Sequence, residues 1–388
     1  MAEYFTQLKA LNPSELARIF KQKLHAPLLD IWEFTDEFKP VDLYCYLHAK
    51  YSAPNGIQNF LRNDGSDNLI HWEWTLVNED GLLTVQGHNF RTEVHIFRHL
   101  GVGRRREDFI QELKQDFKAY GKQMKAIRAG LEKWTHFINP YHRIESAIDR
   151  QIQAIAALDL NLQRDRIPQP GTSEDMQGFP DSWRAIADKY TQALGLAFGV
   201  RGMLPVLAES FVNFLLFSIA RPEIKNNKRL IADSLRRPID VRVQTLHLTC
   251  IGFTTPVDYE HQACKDFHTL MNERNDMLHG NVDIERLSFE EIYFNGRVPI
   301  FTSYGSFWDK TIALEARTVR LGALQRDRAS VEAFKTYILS LLNSGVRESV
   351  MRMLSSPQLG FDAKRNILGV LLPANMIDSR MGQSEPNA

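Results

Sequence analysis

The 388-residue chain is poor in cysteine and carries no excess of charge of either sign. Its three cysteines, Cys45, Cys250 and Cys264, are scattered without CxxC spacing, which indicates a reducing compartment and no disulfide framework. Lys+Arg and Asp+Glu number 47 each. A protein that coats nucleic acid by bulk electrostatics is therefore excluded, and any RNA contact must come from a local patch.

Long apolar runs are also missing. The longest, Met203 to Ala220, is interrupted by Glu209, Ser210 and Asn213, which makes it too polar and too short to span a membrane. The first residues lack a basic region followed by an apolar run, so we expect no signal peptide. These features predict a cytoplasmic protein with no membrane contact.

The first part of the chain, residues 1–103, predicts a small α+β domain. Residues 1–40 carry a helical apolar stripe (Leu8, Leu11, Leu16, Ile19 and Phe20), with Asn12-Pro13-Ser14 as the start of a second helix. Leu43 to Leu47 is rich in strand formers. Leu69–Val77 and Leu82–Val85 flank Asp80-Gly81 as in a β-hairpin, and Arg91–Phe97 alternates like a half-buried strand.

Residues 104–163 predict a helical hairpin or arm. An apolar seam recurs at steps of three and four, at Phe117, Tyr120, Met124, Ile127, Leu131 and Trp134. After Pro140, a second helix is indicated by Ile144, Ile148, Ile152, Ile155 and Leu162. Packing within the molecule and a contact between two copies explain the seam equally well, and both stay open.

The remainder predicts a linker followed by helices. Residues 164–180 are rich in Pro and Gly and predict an exposed loop. We expect a helical domain over 181–345 and a C-terminal segment over 346–388 that ends in a disordered tail. The predicted fold class is α+β, predominantly α-helical: a small N-terminal α+β domain, a helical arm and a C-terminal helical bundle with a β-hairpin insertion.

The segment that carries chemistry is Val257–Val282, which predicts a helix with Pro256 ahead of it and Gly280 near its end. Its apolar stripe is Ala263, Phe267, Leu270, Met271, Met277 and Leu278, and its polar stripe is His268, Asn272, Asn275 and His279. Arg274 falls on the apolar stripe. A guanidinium there is costly unless it is paired or faces a wet cleft.

This residue set suits cleavage of RNA without a metal. The 2′-hydroxyl of RNA can attack the adjacent phosphate if a proton is transferred and a cation stabilises the phosphoryl oxygens. Histidine is the side chain that commonly exchanges a proton near neutral pH, and the last helical turn, where His279 lies, suits a general acid. Arg274 can grip phosphate with two parallel hydrogen bonds, while Asn275 can orient the ring or a phosphate oxygen.

The run Arg274-Asn275-Asp276-Met277-Leu278-His279-Gly280 resembles the signature of the HEPN superfamily, in which an Arg, often followed by Asn, precedes a His with four to six residues between them. The resemblance covers residues 200–345. It implies a helical bundle that pairs with a second copy, so that two motifs share one cleft. Active members are metal-independent endoribonucleases of toxin–antitoxin modules and phage defence, and others bind or sense without catalysis.

Three details follow from this resemblance. A polar residue on an upstream helix often faces the motif, and Glu209 is the first choice here, ahead of Ser210 and Asn213. Toxin members controlled by modification of a Tyr two positions after the His differ from this chain, which has Asn281 there. A β-hairpin over Ile292–Phe301, turning at Asn295-Gly296, is inserted after the motif helix.

The resulting hypothesis is a metal-independent endoribonuclease of phage defence, a toxin–antitoxin module or the stress response. Arg274, Asn275, His279 and Glu209 are the candidate catalytic residues. We expect RNA and a second copy of the chain as partners and neither metal nor cofactor, with a regulatory protein partner left open for the N-terminal region. The alternatives are an inactive HEPN module that binds RNA or protein, and an Arg and a His that only cap carbonyls and pair with Asp283 or Glu285.

A second candidate RNA contact is Arg104-Arg105-Arg106, which follows Gly101-Val102-Gly103 ahead of a helix. Glycines before a helix N-terminus can hold phosphate. The chain lacks the P-loop Lys-Ser/Thr and a full dinucleotide fingerprint, so a solvated turn is the favoured interpretation. His71, His88, His95 and His99 crowd the same region, but strands do not bring these spacings to one metal.

Overall fold

The computed structural model describes residues 7–12, 14, 15, 18, 28–57, 70–78, 81–98, 105–168, 171–282 and 284–371. It divides into two compact units, Met1–Thr135 with Val370–Ala388, and His136–Gly369. Helices hold 57% of the residues and strands 16%, so the predicted class, a predominantly helical α+β protein, is confirmed.

In its described residues, the first unit contains an antiparallel sheet that packs against the helices Pro40–Tyr51 and Arg106–Gly130. The elements are β1 (Lys9–Ala10), β2 (Leu28–Phe34), α1 (Pro40–Tyr51), β3 (Trp72–Val77), β4 (Gly81–Gly87), β5 (Thr92–Arg98) and α2 (Arg106–Gly130). The strand order is β1-β3-β4-β5-β2. The predicted hairpin is confirmed as β3–β4 and the predicted strand as β5, while Asp80 lies outside the described residues.

The core of this unit explains two corrections. Leu43–Leu47 lies in helix α1 rather than in a strand, because Pro40 begins the helix and Leu43, Tyr46 and Leu47 are buried against the sheet. The second helix predicted at Asn12-Pro13-Ser14 is confirmed where the structure describes it, because Ser14, Glu15 and Arg18 are helical and the side chains of Asn12 and Glu15 accept hydrogen bonds from each other's backbone N–H at 2.9 and 3.0 Å. The helical stripe predicted for residues 1–40 is wrong at Leu8 and over 28–34. Leu8 is buried in the sheet core beside β1, and 28–34 is the edge strand β2; Pro13, Leu16, Ile19 and Phe20 lie outside the described residues.

The second unit is mainly helical. Its elements are β6 (Thr135–Ile138), α3 (Pro140–Ala157), α4 (Ser173–Ile219), α5 (Pro222–Lys225), α6 (Lys228–Arg236), α7 (Ile239–Gln244), α8 (Leu246–Thr249), α9 (Gln262–His279), α10 (Ile284–Leu287), β7 (Ile292–Asn295), β8 (Val298–Phe301), α11 (Ile312–Thr318), α12 (Leu324–Ser340), α13 (Ser344–Ser355), β9 (Gln358–Asp362) and β10 (Ile367–Gly369). A small sheet has the order β10-β9-β6.

Buried aromatic rings join the four long helices of this unit. Phe334 of α12 stacks on Phe267 of α9 with ring centroids 4.4 Å apart, and Phe211 of α4 meets Phe334 and Tyr141 of α3 edge to face at 6.4 Å. All four side chains are buried. Truncation of such a ring to Ala typically costs about 3–5 kcal/mol, so this core fixes α9 against α4 and α12.

The predicted arm and linker do not match the structure. The arm is divided, because α2 belongs to the first unit, where Phe117, Tyr120 and Met124 pack on the sheet core, and α3 belongs to the second. Leu131, Trp134 and Leu162 lie beyond the helix ends. The predicted linker 164–180 overlaps the first eight residues of α4, since the helix begins at Ser173 and continues through Pro180.

Helix α4 is longer and more continuous than the apolar run indicated. Its segment Gln177–Ile219 is long and apolar enough to cross a membrane by length and composition alone, which corrects the expectation of a run too short to do so. Half of its most apolar window is buried inside the protein. The core helix of a soluble protein shows the same combination.

Candidate functional site

The motif lies at the C-terminal end of α9. The helix begins at Gln262, where the His261 ring accepts a hydrogen bond from the Ala263 N–H at 3.2 Å, and it ends at His279. Gly280 follows in the left-handed region at φ +63°, which a residue without a Cβ adopts freely, and its N–H donates to the Asp276 carbonyl. The predicted end is therefore confirmed, whereas the predicted start near Val257 is wrong by about one turn.

Arg274 is half-buried on the face of α9 that points towards α4. Its Nη1 donates to Asn275 Oδ1 at 2.9 Å, and its Nε is buried without a hydrogen-bond partner among the described residues. No carboxylate of the described residues forms an ion pair with it. Asp283 and the side chain of Glu285, the partners considered above, lie outside the described residues.

The preceding residue, Glu273, forms ion pairs with two arginines. It accepts hydrogen bonds from Arg201 of α4 at 2.5 Å and from Arg320, and Asp327 of α12 lies 3.5 Å from Arg201 and 3.4 Å from Arg320. Arg201 and Asp327 are almost fully buried. We call Arg201, Glu273, Arg320 and Asp327 the ionic network. It ties α9, α4 and α12 together immediately beside the motif.

Arg274 borders this network across a small cavity of about 10 Å³. The cavity is lined by Arg201, Leu204, Leu270, Glu273, Arg274, Met277 and Asp327. Asp327 Oδ2 is buried without a hydrogen-bond partner among the described residues, and burial raises the pKa of this carboxyl although Arg320 and Arg201 oppose the rise. Arg326 Nε also lies 3.8 Å from Asp327 Oδ1, so with Arg274 included four guanidinium groups of the described residues lie around the two carboxyl groups.

The other two motif residues lie near the surface. His279 is exposed at the last position of α9, and Asn275 is half-buried one turn before it. Five residues separate Arg274 from His279, which corresponds to about 140° around the helix and about 7.5 Å along it. The long Arg side chain can span part of that separation. His279 forms no hydrogen bond to a described residue, so its ring is accessible to a substrate.

A larger cavity of about 310 Å³ also adjoins the motif, and it shares Arg201, Glu273 and Met277 with the small one. Its wall includes Arg317 of α11 and Arg320 just beyond that helix, together with Asp276 and Asn281 at the motif end of α9. Asn281 completes the helix end, because its N–H and its side-chain amide donate to the carbonyl and the carboxylate of Asp276, each at 3.0 Å. This residue, at the position where some toxins carry Tyr, is therefore used for capping.

Glu209 does not face the motif. It pairs with Arg242 of α7 at 2.5 Å and lines a separate apolar pocket. From α4, the residues that line the cavity beside Arg274 are Arg201 and Leu204. Leu204 and Glu209 are five residues apart, which places them on widely separated faces of the helix. The prediction that Glu209 supplies the upstream polar group is corrected on this ground, and Arg201 occupies that place.

The arginine cluster of the first unit is largely committed to its own unit. Arg106 donates to the Glu33 carbonyl at 2.9 Å and to Glu37, and its guanidinium lies 4.8 Å from the centre of the Phe34 ring. Arg105 is exposed and pairs with Asp108 at 3.1 Å, whereas Arg104 lies outside the described residues. A structural role for Arg106 replaces the phosphate contact that the sequence suggested.

Sequence reasoning missed the ionic network. Arg201 and Glu273 are 72 positions apart, and Arg320 and Glu273 are 47 apart, so no local spacing connects them. The usable signal was Arg201 itself, the one charged residue in the stretch of α4 between Lys189 and Glu209. Comparison with known proteins adds nothing further, since no family model, curated protein or solved structure matches the chain.

Proposed function

We propose that the protein is a metal-independent endoribonuclease of the HEPN type, in which Arg274 and His279 act on the RNA phosphodiester. One observation carries the proposal: Arg274 is held half-buried beside the ionic network without a carboxylate of its own among the described residues. A desolvated guanidinium without a counter-charge is costly unless an anion binds to it. A phosphate of RNA is such an anion.

The proposed chemistry needs no metal. The 2′-hydroxyl gives its proton to a water molecule and attacks the adjacent phosphorus, and the bond from phosphorus to the 5′-oxygen of the next nucleotide breaks. His279 gives a proton to that leaving oxygen, while Arg274 stabilises the charge on the phosphoryl oxygens. The products are a 2′,3′-cyclic phosphate and a 5′-hydroxyl. Asn275 positions Arg274 through their mutual hydrogen bond.

We also propose that a second copy of the chain covers the β7–β8 hairpin that follows the motif. All eight residues of the two strands are exposed, and they include Ile292, Tyr293, Phe294, Val298 and Ile300. An isolated two-stranded hairpin is marginally stable in water, and large exposed apolar patches mark interfaces. Sedimentation of the full chain with Phe294→Ser and Ile300→Ser tests this, and a dimer unaffected by both changes would place the interface elsewhere.

Activity is tested by incubating purified full-length protein with labelled single-stranded RNA in EDTA. The proposal predicts cleavage of RNA, no cleavage of the same sequence as DNA, and loss of cleavage in His279→Ala. The matched control is His268→Ala, an exposed histidine of the same helix that contacts Tyr259 and lies away from the motif. RNA cleavage that survives in His279→Ala, or that requires the metal removed by EDTA, contradicts the proposal.

The rival function is an inactive HEPN module that binds RNA or protein in the cytoplasm. The hydrogen bond from Arg274 to Asn275 supports this alternative, because a guanidinium fixed in one position can bind a phosphate without taking part in catalysis. Under this alternative the wild type binds RNA in a filter assay but leaves it intact. Arg274→Ala would then weaken binding, whereas His279→Ala would not.

A further inference from the structure

A further pocket lies in the helical unit, lined by residues of β6, α3, α4, α6 and β10. Its volume is about 620 Å³, within the roughly 300–1,000 Å³ typical of ligand sites. Most of its wall is apolar and includes three aromatic rings, Phe137, Phe214 and Phe217. None of the residues that line the cavities beside Arg274 lines this pocket. Its role is thus separate from the proposed cleavage of RNA.

Three polar side chains of α4 converge on this apolar wall: Glu209, Ser210 and Asn213. They are the residues that interrupt the apolar run of the sequence. Polar groups on the apolar face of a helix reduce the hydrophobic stabilisation that burial provides. In known ligand sites, a few polar groups in a mostly apolar pocket fix the orientation of the ligand, and these three side chains have that arrangement.

Arg242 holds two of these groups in place. It is almost fully buried, and its guanidinium donates to Glu209 Oε1 and to Asn213 Oδ1, each at 2.5 Å. A buried ion pair adds little net stability and is better explained as a positioning device. Because an arginine only donates, the oxygen of Asn213 must face Arg242 and its amide NH₂ must face away.

Three polar atoms are thereby left for a ligand. Glu209 Oε2, Asn213 Nδ2 and Ser210 Oγ make no hydrogen bond to any residue in the described part of the chain. The first is an acceptor, the second a donor and the third either one. A group that complements them presents a donor next to an acceptor, as the N–H and C=O edge of a cyclic amide does.

We infer that this pocket binds a small planar ring compound with a lactam edge. The ring lies among Phe137, Phe214 and Phe217, whose faces and edges favour aromatic neighbours. The ligand N–H donates to Glu209, and its carbonyl accepts from Ser210. Heteroaromatic lactams, including the edges of several nucleobases, belong to this chemical class.

The test measures binding of 2-quinolone to the full-length protein by isothermal titration calorimetry. Quinoline is the matched probe, because it has the same two-ring shape without the N–H and C=O pair. Each hydrogen bond to the head group contributes about 0.5–1.5 kcal/mol, so two bonds predict that 2-quinolone binds about 5- to 150-fold more tightly than quinoline. Equal affinities of the two probes, or no binding of 2-quinolone, overturn the inference.

Two variants locate the site. Ser210→Ala is expected to lower the affinity for 2-quinolone by about 2- to 10-fold and to leave the affinity for quinoline unchanged. Val206→Trp fills the pocket and is expected to abolish binding of both probes. Leu235→Trp, from α6, is the second filling variant if urea unfolding shows that Val206→Trp disturbs α4. The control is Ser330→Ala on α12, whose hydroxyl donates to the Arg326 carbonyl. Filled variants that still bind 2-quinolone place the binding elsewhere and overturn the inference.

Discussion

Arg242 and Arg274 lie in the same unit, each on a helix that packs against α4, and yet their charges are handled in opposite ways. Arg242 is buried, and Glu209 and Asn213 accept its hydrogen bonds. Arg274 is half-buried, donates a hydrogen bond to the Asn275 side chain and has no ion pair among the described residues. The comparison indicates that a neutralised guanidinium positions its neighbours, whereas one without a counter-charge is available to a ligand.

The largest effect is expected from Arg274→Ala. Removing a group that stabilises charge in a transition state lowers the rate by about 10²–10³-fold, and the free energy of unfolding should change by less than about 1 kcal/mol because no ion pair is lost. Initial rates of RNA cleavage and urea unfolding measure the two quantities. Arg326→Ala is the control, since this side chain is 71% exposed near the same network. An Arg274→Ala protein that cuts RNA normally would remove the distinction between the two arginines.

A large loss of stability, with no effect on the motif, is expected from Arg242→Leu. The change leaves the Glu209 carboxylate without its counter-charge, and Glu209 is only partly exposed. The expected cost is about 2–3 kcal/mol in urea unfolding. Arg237→Leu is the matched control, because its pair with Asp233 is solvent-exposed and should be worth less than about 1 kcal/mol. A similar decrease in the free energy of unfolding in both variants would show that the pair between Arg242 and Glu209 is no more stabilising than an exposed ion pair.

A smaller, pH-dependent effect is expected from Asp327→Asn. Burial raises the pKa of Asp327 above its ordinary value of 3.8 in spite of Arg320 and Arg201. A carboxyl with a raised pKa contributes stability that is complete below pH 3.8 and is lost as the pH rises through its folded pKa. The Asn variant should therefore gain stability relative to the wild type as the pH rises towards neutrality.

Glu93 of the first unit provides the opposite case. Burial raises its pKa, but hydrogen bonds from His95 and Arg91 outweigh that effect and lower the pKa below 4.5. Its contribution is present above that value and is lost as the pH falls. In urea unfolding at several pH values, Glu93→Gln should thus lose stability relative to the wild type as the pH rises. Parallel trends in the two variants would refute the assignment for Asp327.

The smallest effect is expected from Arg105→Ala. This side chain is fully exposed in its pair with Asp108, and water and salt screen such pairs. We expect no measurable change in the free energy of unfolding or in RNA cleavage. A clear loss of RNA cleavage would support the original prediction that residues 104–106 contact RNA.

Local patterns predicted the elements that local forces decide. The hairpins β3–β4 and β7–β8 were predicted from alternating apolar residues and from turn residues. Gly280 predicted the end of α9, because glycine readily adopts the left-handed conformation that ends many helices. The start of α9 and the helix α1 were misjudged. Helix α9 begins at Gln262, where the His261 ring caps the Ala263 N–H. In α1, long-range packing outweighs the local propensity, because Tyr46 has strand propensity but is buried between the sheet and α2.

The candidate site could be predicted only in part. Arg274, Asn275 and His279 share one helix, so their spacing was visible in the sequence. The ionic network and the pair between Glu209 and Arg242 were not visible, because each joins residues that tertiary packing brings together from distant positions. Glu209 was assigned to the motif from its helix alone, and only the direction of its side chain distinguishes the two pockets.

In the proposed reaction, Arg274 and His279 direct attack by the 2′-hydroxyl of RNA on the adjacent phosphate. The most direct measurement is the chemical nature of the 3′ ends that the full-length protein produces from a defined RNA in EDTA. The proposed reaction predicts 2′,3′-cyclic phosphate ends in the wild type and their loss in His279→Ala. Ends that carry a free 3′-hydroxyl, or RNA that stays intact with the wild type, would contradict it.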